Sequence, residues 1–243
     1  MSKQSTWDAK ASTYNRYSSK KNTFEQRVMH LVKEAGVDFK KATVLDIGCG
    51  TGVYTLHLAK EAKYIDALDF SKEMLSVLEE DAASLHVNTI KTIHDSWEGF
   101  TCKEKYDIAF CSMSPALKEP KDFKKMHECA KQKVFLGWAG VRESSLHDDI
   151  FKAFGESYKA PRGALDLKLW LDEEGIDYTM EVLKETRSVR KEYDSMLENV
   201  CWHLEINNVG YDIERLKALL EAKKESDGMV SNTIVSSMML IIF

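Results

Sequence analysis

The stretch Val44-Leu45-Asp46-Ile47-Gly48-Cys49-Gly50-Thr51-Gly52 decides how this sequence folds. Its apolar beginning is typical of a buried strand, and the residues that follow it have a helical pattern, with Val53, Leu56 and Ala59 on one face. Three glycines at alternate positions allow the backbone to turn tightly and to approach a ligand closely, while the helix offers free N–H groups at its amino end. The stretch therefore predicts a strand, a ligand-binding turn and a helix.

The spacing of the glycines limits the kind of ligand. A dinucleotide-binding turn reads GxGxxG, but the third glycine would fall at Val53, and no Lys follows Gly52 as a phosphate-binding P-loop requires. A second acid, Asp69, ends the next predicted strand. A carboxylate at the tip of a second strand can accept hydrogen bonds from both hydroxyls of a ribose. The ligand is therefore expected to contain a nucleoside, with no need for a pyrophosphate.

Around this stretch, short apolar runs alternate with helical patterns. Strands are predicted over residues 42–48, 64–69, 88–94, 106–111, 134–139, 177–186 and 233–243. Because helices of about one crossover length separate the first of these strands, the pattern predicts a doubly wound α/β fold with a mostly parallel sheet. The segments 140–176 and 187–228 are longer than a crossover requires, and we expect them to be helical insertions that cover the carboxyl ends of the strands.

The 243 residues are interpreted as one domain. It comprises an N-terminal lid and helix (1–41), a cofactor-binding core (42–139), two helical substrate-cap segments (140–176 and 187–228) and a last strand (229–243). Residues 1 to about 20 are polar and show no helical apolar stripe, which predicts a mobile lid.

Charge and cysteine usage narrow the setting in which the protein works. A net charge of −5 disfavours a general polyanion binder, and nucleic acid is a minority interpretation. The five cysteines are odd in number and lack CxxC or metal-ligand spacing, so we expect a reducing compartment and no metal. The polar N-terminus lacks the core of a signal peptide, and no apolar run is long enough to span a bilayer. These features predict a soluble cytoplasmic protein.

Four motifs in order make the sequence resemble the class I S-adenosylmethionine-dependent methyltransferases of the small-molecule type. VLDIGCGTG (44–52) matches the first motif of that family and ALDFS (67–71) matches the second. HDSW (94–97) resembles the adenine-contacting segment, and YDIAFC (106–111) resembles the fourth strand. The opening WDAKASTY (7–14) is similar to the N-terminal lid of many members. The resemblance implies a seven-stranded sheet whose last strand is antiparallel, and S-adenosylmethionine as the cofactor.

The resemblance also implies a cofactor role for residues of these motifs and of the lid: Tyr14, Asp46, Gly48, Cys49, Gly50, Gly52, Asp69, Phe70, Asp95, Ser96, Trp97, Cys111 and Ser112. The three glycines would face the methionine part, Asp46 its amino group and Asp69 the ribose. Phe70 and Trp97 would contact the adenine faces, and Asp95 the adenine amino group. Cys111 and Ser112 would lie beside the sulfonium.

The acceptor is expected to be a small molecule. Residues 111–115, CSMSP, depart from the Asn/Asp-Pro-Pro-Tyr signature of methyltransferases that act on amino groups of adenine, cytosine or glutamine. The alternatives are a protein or nucleic-acid methyltransferase, a nucleotide-binding oxidoreductase, and a non-catalytic S-adenosylmethionine-binding protein. No catalytic base is assigned, and Tyr14, His147 and Tyr193 are the candidates. The identity of the acceptor and the oligomeric state are left open.

Overall fold

A seven-stranded sheet with helices around it forms the framework of the protein. The structure is a computed structural model that describes residues 3–243. Its strands are β1 (Thr43–Ile47), β2 (Tyr64–Asp69), β3 (Ile90–His94), β4 (Tyr106–Ser112), β5 (Ala130–Ser144), β6 (Thr179–Glu192) and β7 (Met229–Ile242). Its helices are α1 (Lys3–Lys10), α2 (Phe24–Glu34), α3 (Thr55–Leu58), α4 (Lys72–Ser84), α5 (Pro120–Cys129), α6 (His147–Ala153), α7 (Gly163–Glu174), α8 (Tyr193–Ile206) and α9 (Ile213–Glu221).

The strand order places the predicted cofactor motifs at one edge of the sheet. The order is β3-β2-β1-β4-β5-β7-β6, and β1 pairs in parallel with both β2 and β4. The order reverses between β1 and β4, and ligands of such sheets bind in the crevice outside the carboxyl ends of the strands at this point. Asp46 is level with Ala67 of β2 and Phe110 of β4. The doubly wound, mostly parallel fold predicted from the sequence is confirmed.

The chain divides into two compact units, which differ from the expected segments. The first comprises the described residues up to Gly137, Arg162–Val182 and Met239–Phe243, and the second comprises Trp138–Pro161 and Leu183–Met238. The segment 140–176, expected to form one cap, is thus divided. The physical reason is α7, whose buried Trp170 has its ring centroid 6.0 Å from that of Phe123 and 6.2 Å from that of His127 in α5. This packing places α7 in the first unit.

The second unit has an apolar core of its own. Leu146 and Ile150 of the α6 region are buried in one cluster with Met196 and Val200 of α8. Tyr193 packs against the edge of this cluster. The apolar residues of the α6 region and of α8 therefore pack on each other, which stabilises the second unit.

The N-terminal segment contains a helix that its composition does not predict. Helix α1 and a 3-10 turn over Ala11–Thr13 lie within the proposed lid, and its mobility stays a prediction. Trp7 packs against a cluster in which Ala11 is buried with Met74 and Val77 of α4. Trp7 and Ala11 are four residues apart, and two such side chains are only a weak sequence signal for a helix. Packing against α4 stabilises this short helix, since tertiary contacts supply most of the stability of short helices.

Cysteine pairing differs from the expectation of a reducing compartment. Cys102, in the loop before β4, forms a disulfide with Cys129 at the end of α5, and their Cα atoms are 5.8 Å apart. The sequence does not predict this pair, because no short spacing motif signals it and only the fold brings the two residues together. Cys49, Cys111 and Cys201 are free. Within residues 3–243, no helix combines the length and the apolar character that crossing a membrane requires.

We expect reduction of this disulfide to lower the free energy of unfolding by about 3 kcal/mol, because the bond restricts the unfolded chain. The bond joins residues 27 positions apart, so the loop that it closes is long. Denaturant unfolding with and without a thiol reductant measures the difference. The double variant Cys102→Ser/Cys129→Ser is the control, and its stability should match that of the reduced protein. Equal stability of the oxidised and reduced wild type would contradict the prediction.

Candidate active site

The glycine-rich turn after β1 is held against β2. The backbone N–H groups of Gly48 and Cys49 both donate to the carbonyl oxygen of Leu68, at 2.8 and 3.0 Å. Gly48, Gly50 and Gly52 have φ angles of 67°, 55° and 79°. These angles lie in the left-handed region that glycine adopts without a steric penalty, so the turn requires this residue type at all three positions.

The three glycines meet different surroundings. A Cβ atom at Gly48 would lie 1.9 Å from Oγ of Ser114, and one at Gly52 would lie 2.2 Å from Cδ1 of Leu78. A Cβ atom at Gly50 would have no heavy atom within 4 Å among the described residues outside its immediate neighbours. Packing within the protein therefore excludes a side chain at the first and third positions, whereas Gly50 faces open space in which a ligand can approach the backbone.

Asp69 ties the end of β2 to the glycine-rich turn. Its Oδ2 accepts a hydrogen bond from the N–H of Gly50 at 2.8 Å, and its Oδ1 accepts one from the N–H of Ser71 at 2.9 Å. Burial raises the pKa of Asp69, and these backbone donors act in the opposite direction. A carboxylate oxygen has a second lone pair, so each oxygen can accept one further hydrogen bond. This capacity matches the two hydroxyls of a ribose.

Asp46 is a second buried carboxyl group at the carboxyl ends of the central strands. Its Oδ2 accepts a hydrogen bond from Oγ1 of Thr55 at 2.6 Å. Burial raises the pKa of Asp46 to about 7, the hydrogen bond from Thr55 lowers it, and the charge of Asp69 raises it further. The charge of Asp46 therefore changes near neutral pH. Thr55 was not among the predicted site residues, and its signal in the sequence is a hydroxyl group at the start of the helix that follows the glycine-rich turn.

The segment after β3 forms a turn that packs against α5. The N–H of Ser96 donates to Oδ1 of Asp95 at 2.7 Å, which begins this turn. Trp97 is buried, its Nε1 donates to the carbonyl oxygen of Asp122 at 3.3 Å, and Nζ of Lys125 lies 4.4 Å from its ring centroid. Trp97 therefore has a packing role, and its contact with adenine stays a prediction. Phe70 is partly exposed beside Asp69.

The thiol groups at the site stay protonated at neutral pH. Burial raises the pKa of Cys49 and of Cys111, and the negative charge of Asp46 raises both further. Since the thiolate is the nucleophilic form, neither side chain is suited to covalent catalysis. Ser112 is partly exposed at the end of β4, where it pairs with Leu136 of β5.

The N-terminal segment contacts both cofactor motifs. Oγ1 of Thr51 donates to the carbonyl oxygen of Asn15, and Oγ of Ser71 donates to Oδ1 of Asp8 at 2.6 Å. Tyr14 lies between these two contacts in the sequence and is 36% exposed. The segment that the sequence analysis proposes as a lid is therefore anchored on either side of Tyr14.

The other two candidates for catalysis lie in the second unit. His147 is buried with its Nδ1 2.8 Å from Oγ of Ser144, and burial, with the nearby charge of Arg142, lowers its pKa to about 4. The hydroxyl of Tyr193 donates to the carbonyl oxygen of Lys217 at 3.1 Å. Both side chains have contacts within that unit, and a catalytic role for either stays a prediction. In the described part of the chain, no three His, Cys, Asp or Glu side chains are grouped to hold a metal ion.

Part of the chain is similar in sequence to known methyltransferases. Residues 44–133 match a family model described as a methyltransferase domain. The malonyl-[acyl-carrier protein] O-methyltransferase of Bacillus cereus is 24% identical over 107 residues, which are 43% of this chain and 39% of that protein. The ubiquinone biosynthesis O-methyltransferase of Serratia proteamaculans is 32% identical over 87 residues, 35% of each chain. The chain spans about two fifths of the length of the first curated relatives that it matches.

A solved structure extends the similarity to the whole fold. The S-adenosylmethionine-dependent methyltransferase of Thiobacillus denitrificans, solved in complex with S-adenosyl-L-homocysteine, is similar with a TM-score of 0.51 at 15% identity, over 98% of both chains. At this identity the similarity concerns the fold alone. The family match and the strand order together place residues 44–133 in the family of class I methyltransferases, whose cofactor is S-adenosylmethionine.

Proposed function

We propose that the protein transfers the methyl group of S-adenosylmethionine to a small-molecule acceptor. The observation that carries this proposal is the open space at Gly50. The backbone N–H of this residue donates a hydrogen bond to Oδ2 of Asp69. A turn that excludes side chains by packing at two positions and leaves the middle one clear is suited to a ligand lying against the backbone. The domain match over residues 44–133 supports the same function.

The residues present fit the cofactor. The absence of a Cβ atom at Gly50 leaves space beside the backbone in which the cofactor can lie. We assign the ribose hydroxyls to the free lone pairs of Asp69 and the positively charged amino group to Asp46, because a buried carboxylate is stabilised by an opposite charge. Phe70 and Asp95 are assigned to the adenine. The remaining residues of the proposed site, which follow the same strands or belong to the N-terminal segment, are Tyr14, Gly48, Cys49, Gly52, Ser96, Trp97, Cys111 and Ser112.

This site binds and orients its reactants more than it supplies reactive groups. When bound, S-adenosylmethionine supplies a methyl group on a cationic sulfur, and the acceptor takes this methyl group by in-line displacement of the sulfur. Alignment of the reacting atoms and exclusion of water account for much of the acceleration in such a transfer. The protonated thiols of Cys49 and Cys111 fit this role, since neither competes with the acceptor for the methyl group.

A small acceptor is favoured by three observations. The names of two relatives refer to magnesium protoporphyrin IX and to ubiquinone biosynthesis. The segment 111–115 lacks the Asn/Asp-Pro-Pro-Tyr signature of amino-group methyltransferases. The net charge of −5 disfavours a nucleic-acid substrate. We propose the segments 140–176 and 187–228 as the source of acceptor specificity, because they exceed what the fold requires.

Transfer of a labelled methyl group tests this function. The purified protein is incubated with S-adenosylmethionine, labelled on its methyl group, and a small-molecule extract, and label in a low-molecular-weight product is the expected result. If the label enters added RNA, DNA or protein but never the small molecules of the extract, the acceptor is a macromolecule and the proposal is wrong. Cofactor binding with no transfer to any acceptor would leave a non-catalytic binding protein.

Asp69→Ala is expected to weaken binding of S-adenosylmethionine and S-adenosylhomocysteine at least about tenfold, because ribose hydroxyls lose their buried acceptor. Calorimetric titration with S-adenosylhomocysteine measures the affinity. Asp66→Ala is the matched control, since it removes a carboxylate from the same strand. The Oδ2 of Asp66 accepts a hydrogen bond from the hydroxyl of Tyr106 at 2.6 Å and not from the glycine-rich turn. Unchanged affinity of the Asp69 variant would remove this residue from the site.

A further inference from the structure

The edge strand β6 has the features of a pairing surface. It is 14 residues long, contains neither Pro nor Gly, and has β7 as its neighbour in a sheet that ends at β6. Its Met180 and Val182 are 47% and 46% exposed. Natural edge strands are usually short, bulged or interrupted by Pro, because their free N–H and C=O groups pair readily with another strand. A long unbroken edge therefore points to a partner strand.

The charges of β6 are complementary to a second, antiparallel copy of the same strand. In a pairing centred on Thr186, Glu181 lies opposite Lys191, and Glu185 lies opposite Arg187. The same register places Leu183 opposite Val189. By two-fold symmetry each of these pairs occurs twice, and opposite charges facing each other across two strands stabilise their pairing. We infer that the protein forms a symmetric dimer in which two β6 strands pair antiparallel about Thr186.

Other symmetric registers are less favourable. A two-fold axis perpendicular to the sheet leaves each residue of the two strands on the same face of the sheet. Opposite residues must therefore be an even number of positions apart in the sequence. The axis then passes midway between the two copies of one residue, which lie opposite each other. An axis through Glu185 places this side chain opposite its own copy, and an axis through Arg187 does the same for that residue. Like charges in these positions are destabilising.

An axis through Ser188 also avoids like charges, but it pairs only residues 184–192, whereas the axis through Thr186 pairs residues 180–192. The longer overlap includes the exposed apolar Met180 and Val182 and forms more backbone hydrogen bonds. The register about Thr186 is therefore the one we adopt. This inference is independent of the proposed function.

Sedimentation equilibrium of the full chain tests the dimer. Pairing through one strand buries a small interface, so we expect a dissociation constant on the order of 10 μM. Glu181 and Lys191 are the residues to exchange, because Glu185 and Arg187 also form an ion pair within one chain at 3.6 Å. Glu181→Lys or Lys191→Glu alone should raise the dissociation constant at least about tenfold, since like charges then face each other twice.

The double variant Glu181→Lys/Lys191→Glu should restore the dissociation constant to within about threefold of the wild type, because the opposite charges are exchanged. Glu173→Lys and Lys124→Glu are the controls, since they make the same charge changes at exposed helical positions. Circular dichroism verifies that each variant is folded. A protein that is monomeric at roughly twenty times the expected dissociation constant, or a dimer that the Glu181 and Lys191 exchanges do not affect, would overturn the inference.

Discussion

Gly50→Val is expected to weaken cofactor binding strongly while the protein stays folded. The new side chain would project into the open space at this turn, which has no heavy atom within 4 Å among the described residues outside its neighbours. A valine at a φ of 55° is strained, and we expect this strain to cost about 2 kcal/mol of stability. Loss of the close approach between backbone and cofactor should weaken S-adenosylhomocysteine binding by about a hundredfold or more.

Gly52→Val is the matched control for this prediction, because it makes the same change two residues further along at a φ of 79°. Its Cβ atom would lie 2.2 Å from Cδ1 of Leu78, so this buried side chain of α4 must shift within the core. We expect strain and overpacking together to cost more than about 4 kcal/mol. Thermal unfolding separates the two variants, and calorimetry measures the affinity of whichever is folded. Normal affinity in Gly50→Val would exclude this turn from the cofactor site.

The elements that position the site were predictable because local sequence determines them. The strand β1 is an apolar run, the turn after it needs three glycines, and Ser71 caps α4 by accepting from the N–H of Met74. These are features of a few consecutive residues. The location of Asp46 and Asp69 at one edge follows from parallel pairing of β1 and β2, which the alternation of strands and helices also predicts.

The features that the sequence did not predict all depend on contacts between distant residues. Cys102 meets Cys129 only because the loop before β4 returns to the end of α5. Trp97 is at the expected place in the chain, but its burial against Lys125 depends on how α5 packs. Periodicity likewise predicted α7 but not the unit to which it belongs, because that depends on the contact between Trp170 and α5. Long-range packing, which no local pattern encodes, decided each case.

Burial of Asp46 in the protein raises its pKa to about 7. In the unfolded chain an aspartate has a pKa of about 3.9. The folded state therefore binds the proton more tightly, so Asp46 lowers the stability of the ligand-free protein progressively as the pH rises from about 4 to 7. Asp46→Asn removes this loss. We expect the variant to be up to about 4 kcal/mol more stable than the wild type at pH 8 and close to it at pH 4.

Cofactor binding should show the opposite dependence, because the ionised form of Asp46 is the one that attracts the positively charged amino group. Wild-type affinity for S-adenosylhomocysteine should rise as the pH increases through 7, and Asp46→Asn should bind weakly with little dependence on pH. Thr55→Val serves as the matched variant, since it removes the hydrogen bond that lowers the pKa of Asp46 and should move the midpoint to higher pH. Calorimetry from pH 6 to 9 measures these curves, and a midpoint that Thr55→Val leaves unchanged would show that another group titrates.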